Sequence, residues 1–84
     1  MTDLEMFIYS CRQIIDTTSN YGTNTKENIL KNVRNRMPNS FSRKEANRIF
    51  ESFTGKYWTQ HGNQYTNLLN LAHPQDVRDV KEEL

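Results

Sequence analysis

Three times in the first 45 residues a small polar side chain stands three residues ahead of a glutamate: Thr2 and Glu5, Asn24 and Glu27, Ser42 and Glu45. At this spacing the small side chain accepts from a backbone N–H of the first helical turn, and the carboxylate reaches back to the N–H of the cap, so each pair marks a helix start. Apolar residues three and four apart follow each one. Leu4, Phe7, Ile8, Cys11, Ile14, Ile15 and Thr18 form the first stripe, in a helix expected to begin at Asp3 and to break at Ser19-Asn20-Tyr21-Gly22. Ile29, Leu30, Val33 and Met37 form the second, opposite Asn28, Lys31, Asn32 and Asn35. That helix has to end near Pro38, because the residue before a proline is pushed out of helical geometry. Ala46, Ile49, Phe50 and Phe53 form the third, which stops at Gly55.

Past Gly55 the helical period is lost. Lys56 to Gln60 and Gln64 to Leu68 are rich in aromatic and β-branched residues and flank His61-Gly62-Asn63, which predicts a β-hairpin. The alternative is an irregular loop whose aromatic side chains plug the open end of a three-helix core. Beyond His73-Pro74, Val77, Val80 and Leu84 recur at helical spacing among charges, so a short terminal helix over 75–83 is expected. A chain of 84 residues with an apolar fraction of 35% covers one thin core and no second. The expected fold is therefore mainly α: one domain over 1–84, a three-helix core with a short β-hairpin after it and a short terminal helix.

Divided along the chain, the net charge of +1 separates into three parts. Residues 1–25 and 58–84 each balance at −2. Between 26 and 57, Lys26, Lys31, Arg34, Arg36, Arg43, Lys44, Arg48 and Lys56 stand against Glu27, Glu45 and Glu51, a balance of +5. A basic centre between acidic ends is the imprint of a nucleic-acid footprint, or else a solvated basic surface. Winding the third helix at about 100° per residue collects Lys44, Asn47, Arg48 and Glu51 opposite its apolar face, a polar patch suited to base edges and phosphates.

Other chemistries find little support. Cys11 is the only cysteine and lies in an apolar stripe, which suits a core thiol. His61 and His73 have no ligand partners at metal-binding spacing, and no phosphate loop or nucleophile motif occurs, so neither a cofactor, nor zinc, nor catalysis is expected. The apolar runs fall far short of the roughly 20 residues that span a bilayer, and the N-terminus lacks a signal-peptide pattern. An intracellular, cytoplasmic or nuclear, protein is expected.

Helix, helix, tight turn, helix and hairpin is also the order of elements in winged helix-turn-helix domains. Within that family, Ser42 to Phe53 resembles the recognition helix of the Z-DNA-binding Zα domains: a basic residue, Arg43, precedes the Asn47-Arg48 pair by four positions. Glu51 stands where that branch has a tyrosine, and its Pro-Pro-x-Trp wing has no counterpart here. The resemblance implies a winged-helix architecture whose third helix enters the major groove of double-stranded DNA while the hairpin rests on the backbone or minor groove. On that reading Lys44, Asn47 and Arg48 face the groove, and Ser42 and Arg43 approach phosphates. Lys56, Tyr57, Gln60 and Asn63 make flanking contacts, and Lys31 and Arg34 add contacts to the backbone.

Two functions are thus in view. One is a small DNA-binding regulator of transcription or replication. The other is a protein-interaction module, such as a viral or phage factor that docks on a larger complex through Met6, Tyr9, Tyr57 and Trp58, since aromatic residues and methionine are enriched at interface centres. Either allows a homodimer, paired through Met6 with Tyr9 or through the Val77, Val80 and Leu84 stripe.

Overall fold

The computed structural model describes residues 2–68. Helix α1 spans Asp3–Thr18 and opens on a complete capping box: the Thr2 hydroxyl accepts from the Glu5 N–H at 3.1 Å and the Glu5 carboxylate accepts from the Thr2 N–H at 3.2 Å. A single 3-10 turn, Ser19–Tyr21, then leads to Gly22, whose φ of +67° is the left-handed geometry that a residue without Cβ adopts freely. Helices α2, Lys26–Arg36, and α3, Arg43–Phe53, follow, and strands β1, Trp58–His61, and β2, Gln64–Asn67, close the order. The molecule is mainly helical with an antiparallel hairpin, as its patterning predicts. The expected helix over 75–83, with Val77, Val80 and Leu84, lies outside the described residues.

The two later caps differ from expectation. The cap of α2 is Thr25, whose hydroxyl accepts from the Asn28 N–H at 3.4 Å, and not Asn24. Asn24 is instead fully buried. Its Oδ1 accepts from the Tyr65 N–H at 2.8 Å, and its Nδ2 donates to the Tyr65 carbonyl at 2.6 Å and to the Ile15 carbonyl at 3.4 Å. Both Asn24 and Thr25 carry an oxygen that can cap, and the strand edge that claims Asn24 is far away in sequence. At α3 the Ser42 hydroxyl accepts from the Glu45 N–H at 3.1 Å, as expected, but the Glu45 carboxylate accepts from that same hydroxyl, at 3.2 Å.

The hairpin register pairs Trp58 with Asn67, Thr59 with Thr66, Gln60 with Tyr65 and His61 with Gln64. Its two-residue turn places Gly62, at φ +63°, in the first central position, the geometry of the II′ turn whose twist matches that of the strands. Lys56 and Tyr57, expected in the first strand, form a turn: both N–H groups donate to the Phe53 carbonyl, at 3.0 and 3.1 Å. The Leu68 N–H donates to the Tyr57 carbonyl at 3.1 Å, which sets the alternation of the ladder. Counting from there, Tyr65 occupies a position whose own N–H and C=O point away from β1. Those are the two groups that Asn24 satisfies, so one side-chain amide stands in for a third strand.

Helix α1 is the centre of the core. Its stripe of Phe7, Ile8, Cys11, Ile14 and Ile15 is buried, and burial pushes the Cys11 thiol well above the usual range. Ile29 and Val33 of α2, and Ala46, Ile49, Phe50 and Phe53 of α3, complete the helical part of this cluster. The hairpin contributes Trp58 and Tyr65: the indole stacks on Phe50 at 4.9 Å, and Tyr65 meets the same ring edge-on at 5.0 Å. On α1, Arg12 is fully buried with its guanidinium 5.9 Å from the centroid of Tyr57. Asn67 ties β2 to this helix, its Nδ2 donating to the Arg12 carbonyl at 2.9 Å and to Asp16 Oδ1 at 2.7 Å.

Replacing Asn24 with alanine strands a buried N–H and a buried C=O of Tyr65, each costing about 1–3 kcal/mol when unsatisfied. Urea denaturation of Asn24→Ala is expected to show about 2–4 kcal/mol lost, as a lower midpoint at unchanged slope. An unaltered midpoint would mean that the amide is not holding the hairpin.

Candidate functional site

The side chains at positions 27, 30, 31 and 34 recur at intervals of three and four and so share one side of α2, while Arg43 and Asn47 are one turn apart on α3 with Lys44 beside them. The chain reverses between the helices at Met37 and Pro38, Met37 leaving helical geometry at φ −133° and ψ 61°, and this turns the two sets toward each other. Between them runs an open groove of about 880 Å3, lined by Lys26, Glu27, Leu30, Lys31, Arg34, Arg43, Lys44 and Asn47. Five cations face one carboxylate there. Leu30, half-buried against the core, is the one apolar residue of the lining.

No ion pair engages Lys31, Arg34, Arg43 or Lys44 among the described residues. Arg34 is half-buried, and its Nε is shielded without a hydrogen-bond acceptor. Lys26 differs from these four, because its ammonium is paired with the Glu51 carboxylate across from α3. With those side chains 32% and 52% exposed, the pair contributes no more than about 1 kcal/mol to stability.

A second, smaller cavity of about 440 Å3 adjoins the groove on the hairpin side. Thr25, Lys26, Glu27, Glu51, Gln60, Asn63 and Tyr65 line it, so Lys26 and Glu27 form a wall common to both. Its charge balance is reversed, with two carboxylates against one ammonium. The Tyr65 phenol is raised from its ordinary value, first by burial and then by the negative charge of Glu51.

Of the residues singled out from the sequence, Lys31, Arg34, Arg43, Lys44 and Asn47 converge on the groove. Arg48 is exposed on α3 outside that lining. Ser42 is exposed at the start of α3, its hydroxyl accepting from the Glu45 N–H and donating to the Glu45 carboxylate. Gln60 and Asn63 face the smaller cavity and not the basic groove, and the Gln60 amide donates to the Gly62 carbonyl. Lys56 lies 5.7 Å from the Tyr57 centroid, apart from either cavity.

Tyr57 and Trp58 need the largest correction. Tyr57 is 5% exposed and Trp58 not at all, so both belong to the core: Trp58 fills the space beside Phe50 and spends its indole N–H on Thr54 Oγ1 at 3.0 Å. Met6 is exposed, whereas Tyr9 is half-buried with its hydroxyl accepting from Gln13 at 2.9 Å. Sequence reasoning missed Lys26, Glu27 and Leu30 as groove residues. For Glu27 and Leu30 the signal was present in their spacing from Lys31 and Arg34, but Leu30 counts as a core residue in any apolar stripe, and Lys26, five residues before Lys31, carried no such signal.

Among the described residues no three His, Cys, Asp or Glu side chains gather as a metal site, and no helix is long and apolar enough to cross a membrane. The chain matches no protein-family model, no curated protein and no solved structure.

Two substitutions separate structural from surface residues here. Trp58→Ala is expected to cost about 3–5 kcal/mol and to abolish or greatly lower the cooperative melting transition. Glu51→Gln, which breaks only a half-exposed ion pair, is expected to cost less than about 1 kcal/mol and to leave the circular dichroism of the native state intact.

Proposed function

We propose that this chain is a small non-catalytic DNA-binding protein, a regulator of transcription or replication, that holds the phosphate backbone of duplex DNA in the groove between α2 and α3. The observation that carries the reading is the convergence of Lys31, Arg34, Arg43 and Lys44 on one open groove with no carboxylate pairing any of them among the described residues. Four cations from two helices, without an ion pair among the described residues, create a field that attracts a polyanion over a Debye length of about 8 Å at physiological salt. Arginines supply forked donors that match phosphate oxygens, and the lysines supply charge with less demand on direction. Asn47, half-buried in the same lining, offers an amide that can pair with an adenine edge, and exposed Arg48 lies one residue further on the same helix.

The order of three helices and a hairpin supports the same reading, since it agrees with a winged helix-turn-helix in which α3 is the helix presented to DNA. The groove residues offer charge and hydrogen bonds suited to holding a polyanion. A protein-docking role has less support, because burial of Tyr57 and Trp58 takes away two of the four side chains proposed for it.

Fluorescence anisotropy of a labelled duplex, titrated at several salt concentrations, tests the proposal. With four phosphates neutralised, the slope of log K against log salt is expected near about −3.6, and Lys31→Ala or Lys44→Ala should each make it shallower by about 0.9. Absence of binding to any duplex at low salt, or a slope indifferent to these substitutions, would overturn it.

A further inference from the structure

The proposed site has an end as well as a centre, and the end is built from charge. On the hairpin side of the groove the Lys26 ammonium is held by Glu51, and Glu27 stands beside it in the wall that the groove shares with the smaller cavity. A phosphate lying along Lys31, Arg34, Arg43 and Lys44 meets an excess of positive charge. Moved one step toward the hairpin, it meets two carboxylates and one ammonium already committed to one of them. The boundary between attraction and repulsion therefore falls at Lys26.

Resting on the DNA reading above, we propose that Glu51 delimits the phosphate track: by holding Lys26 and facing the hairpin cavity beside Glu27, it confines the DNA backbone to α2 and α3 and keeps Gln60 and Asn63 out of the interface. The hairpin then serves the fold and not the ligand. This departs from the winged-helix expectation, in which the hairpin rests on DNA. It also makes Glu51 a specificity-determining residue that acts through Lys26 and through repulsion, without donating to the ligand.

The test measures duplex affinity and its salt slope for the full chain and four variants. Glu51→Gln frees Lys26 for one further phosphate, so affinity at low salt should rise about fivefold to tenfold and the slope should steepen by about 0.9. Asp3→Asn removes the same charge from a residue outside the groove lining and should leave the slope unchanged. Lys26→Ala placed on Glu51→Gln should return the slope to that of the unaltered chain. Gln60→Ala combined with Asn63→Ala should leave both quantities as they were. A flat or weakened response to Glu51→Gln, or weaker binding on loss of Gln60 and Asn63, overturns the inference while the DNA reading stands. If the unaltered chain binds no duplex at low salt, both fall together.

Discussion

The buried carboxamide of Asn24 bridges the outward backbone groups of Tyr65, donating to its C=O and accepting from its N–H. A two-stranded hairpin alone is at best marginally stable and presents an edge of unpaired backbone on each side. Here the outward N–H and C=O of β2 at Tyr65 are buried, and each would cost about 1–3 kcal/mol if left without a partner. Asn24 resolves the conflict with a single residue. Because it sits between α1 and α2 and also reaches the Ile15 carbonyl, it ties the hairpin to the segment that joins the two helices and holds its register against α1.

Once the hairpin is held there, its aromatic residues have one direction to turn. Trp58 and Tyr65 come from opposite strands at positions that share a face, and both meet Phe50 of α3. Tyr57, in the turn before the strand, lies between Phe53, Trp58 and the guanidinium of Arg12. The aromatic residues are thereby spent on joining the hairpin to the helices. A buried arginine in the central helix belongs to the same arrangement, since an aromatic face is one of the few apolar surfaces that attracts a cation. Asn67 adds a polar tie to the same helix at Asp16 and the Arg12 carbonyl.

Among the described residues, this packing leaves a groove where α2 and α3 diverge. Helical spacing places like charges on facing flanks, and each would repel the other if the helices met there closely. The molecule accommodates them by leaving a groove, with Leu30 the one apolar residue of its lining and Lys31, Arg43 and Lys44 unpaired among the described residues. At one end, where α2 begins, Lys26 meets Glu51 and the repulsion is relieved internally. The electrostatic character of this groove thus follows from the packing, which brings Lys31, Arg34, Arg43 and Lys44 together and leaves Arg48 and Lys56 elsewhere.

Local rules carried the reading of the sequence a long way. The start of α1 at a capping box, the end of α2 before Pro38, the Ser42 cap and the hairpin about Gly62 all depend on residues within a few positions of one another, and short-range sterics and hydrogen bonds decide them. The basic character of residues 26–57 was legible for the same reason, because charge is a property of composition. The tertiary structure alone decided which of those charges converge, why Arg48 and Lys56 lie outside the groove while Lys26 lines it, and why Tyr57 and Trp58 face inward. Those outcomes depend on contacts between residues 41 and 55 positions apart, Asn24 with Tyr65 and Arg12 with Asn67, and no periodicity in a single element encodes the partner that it will meet.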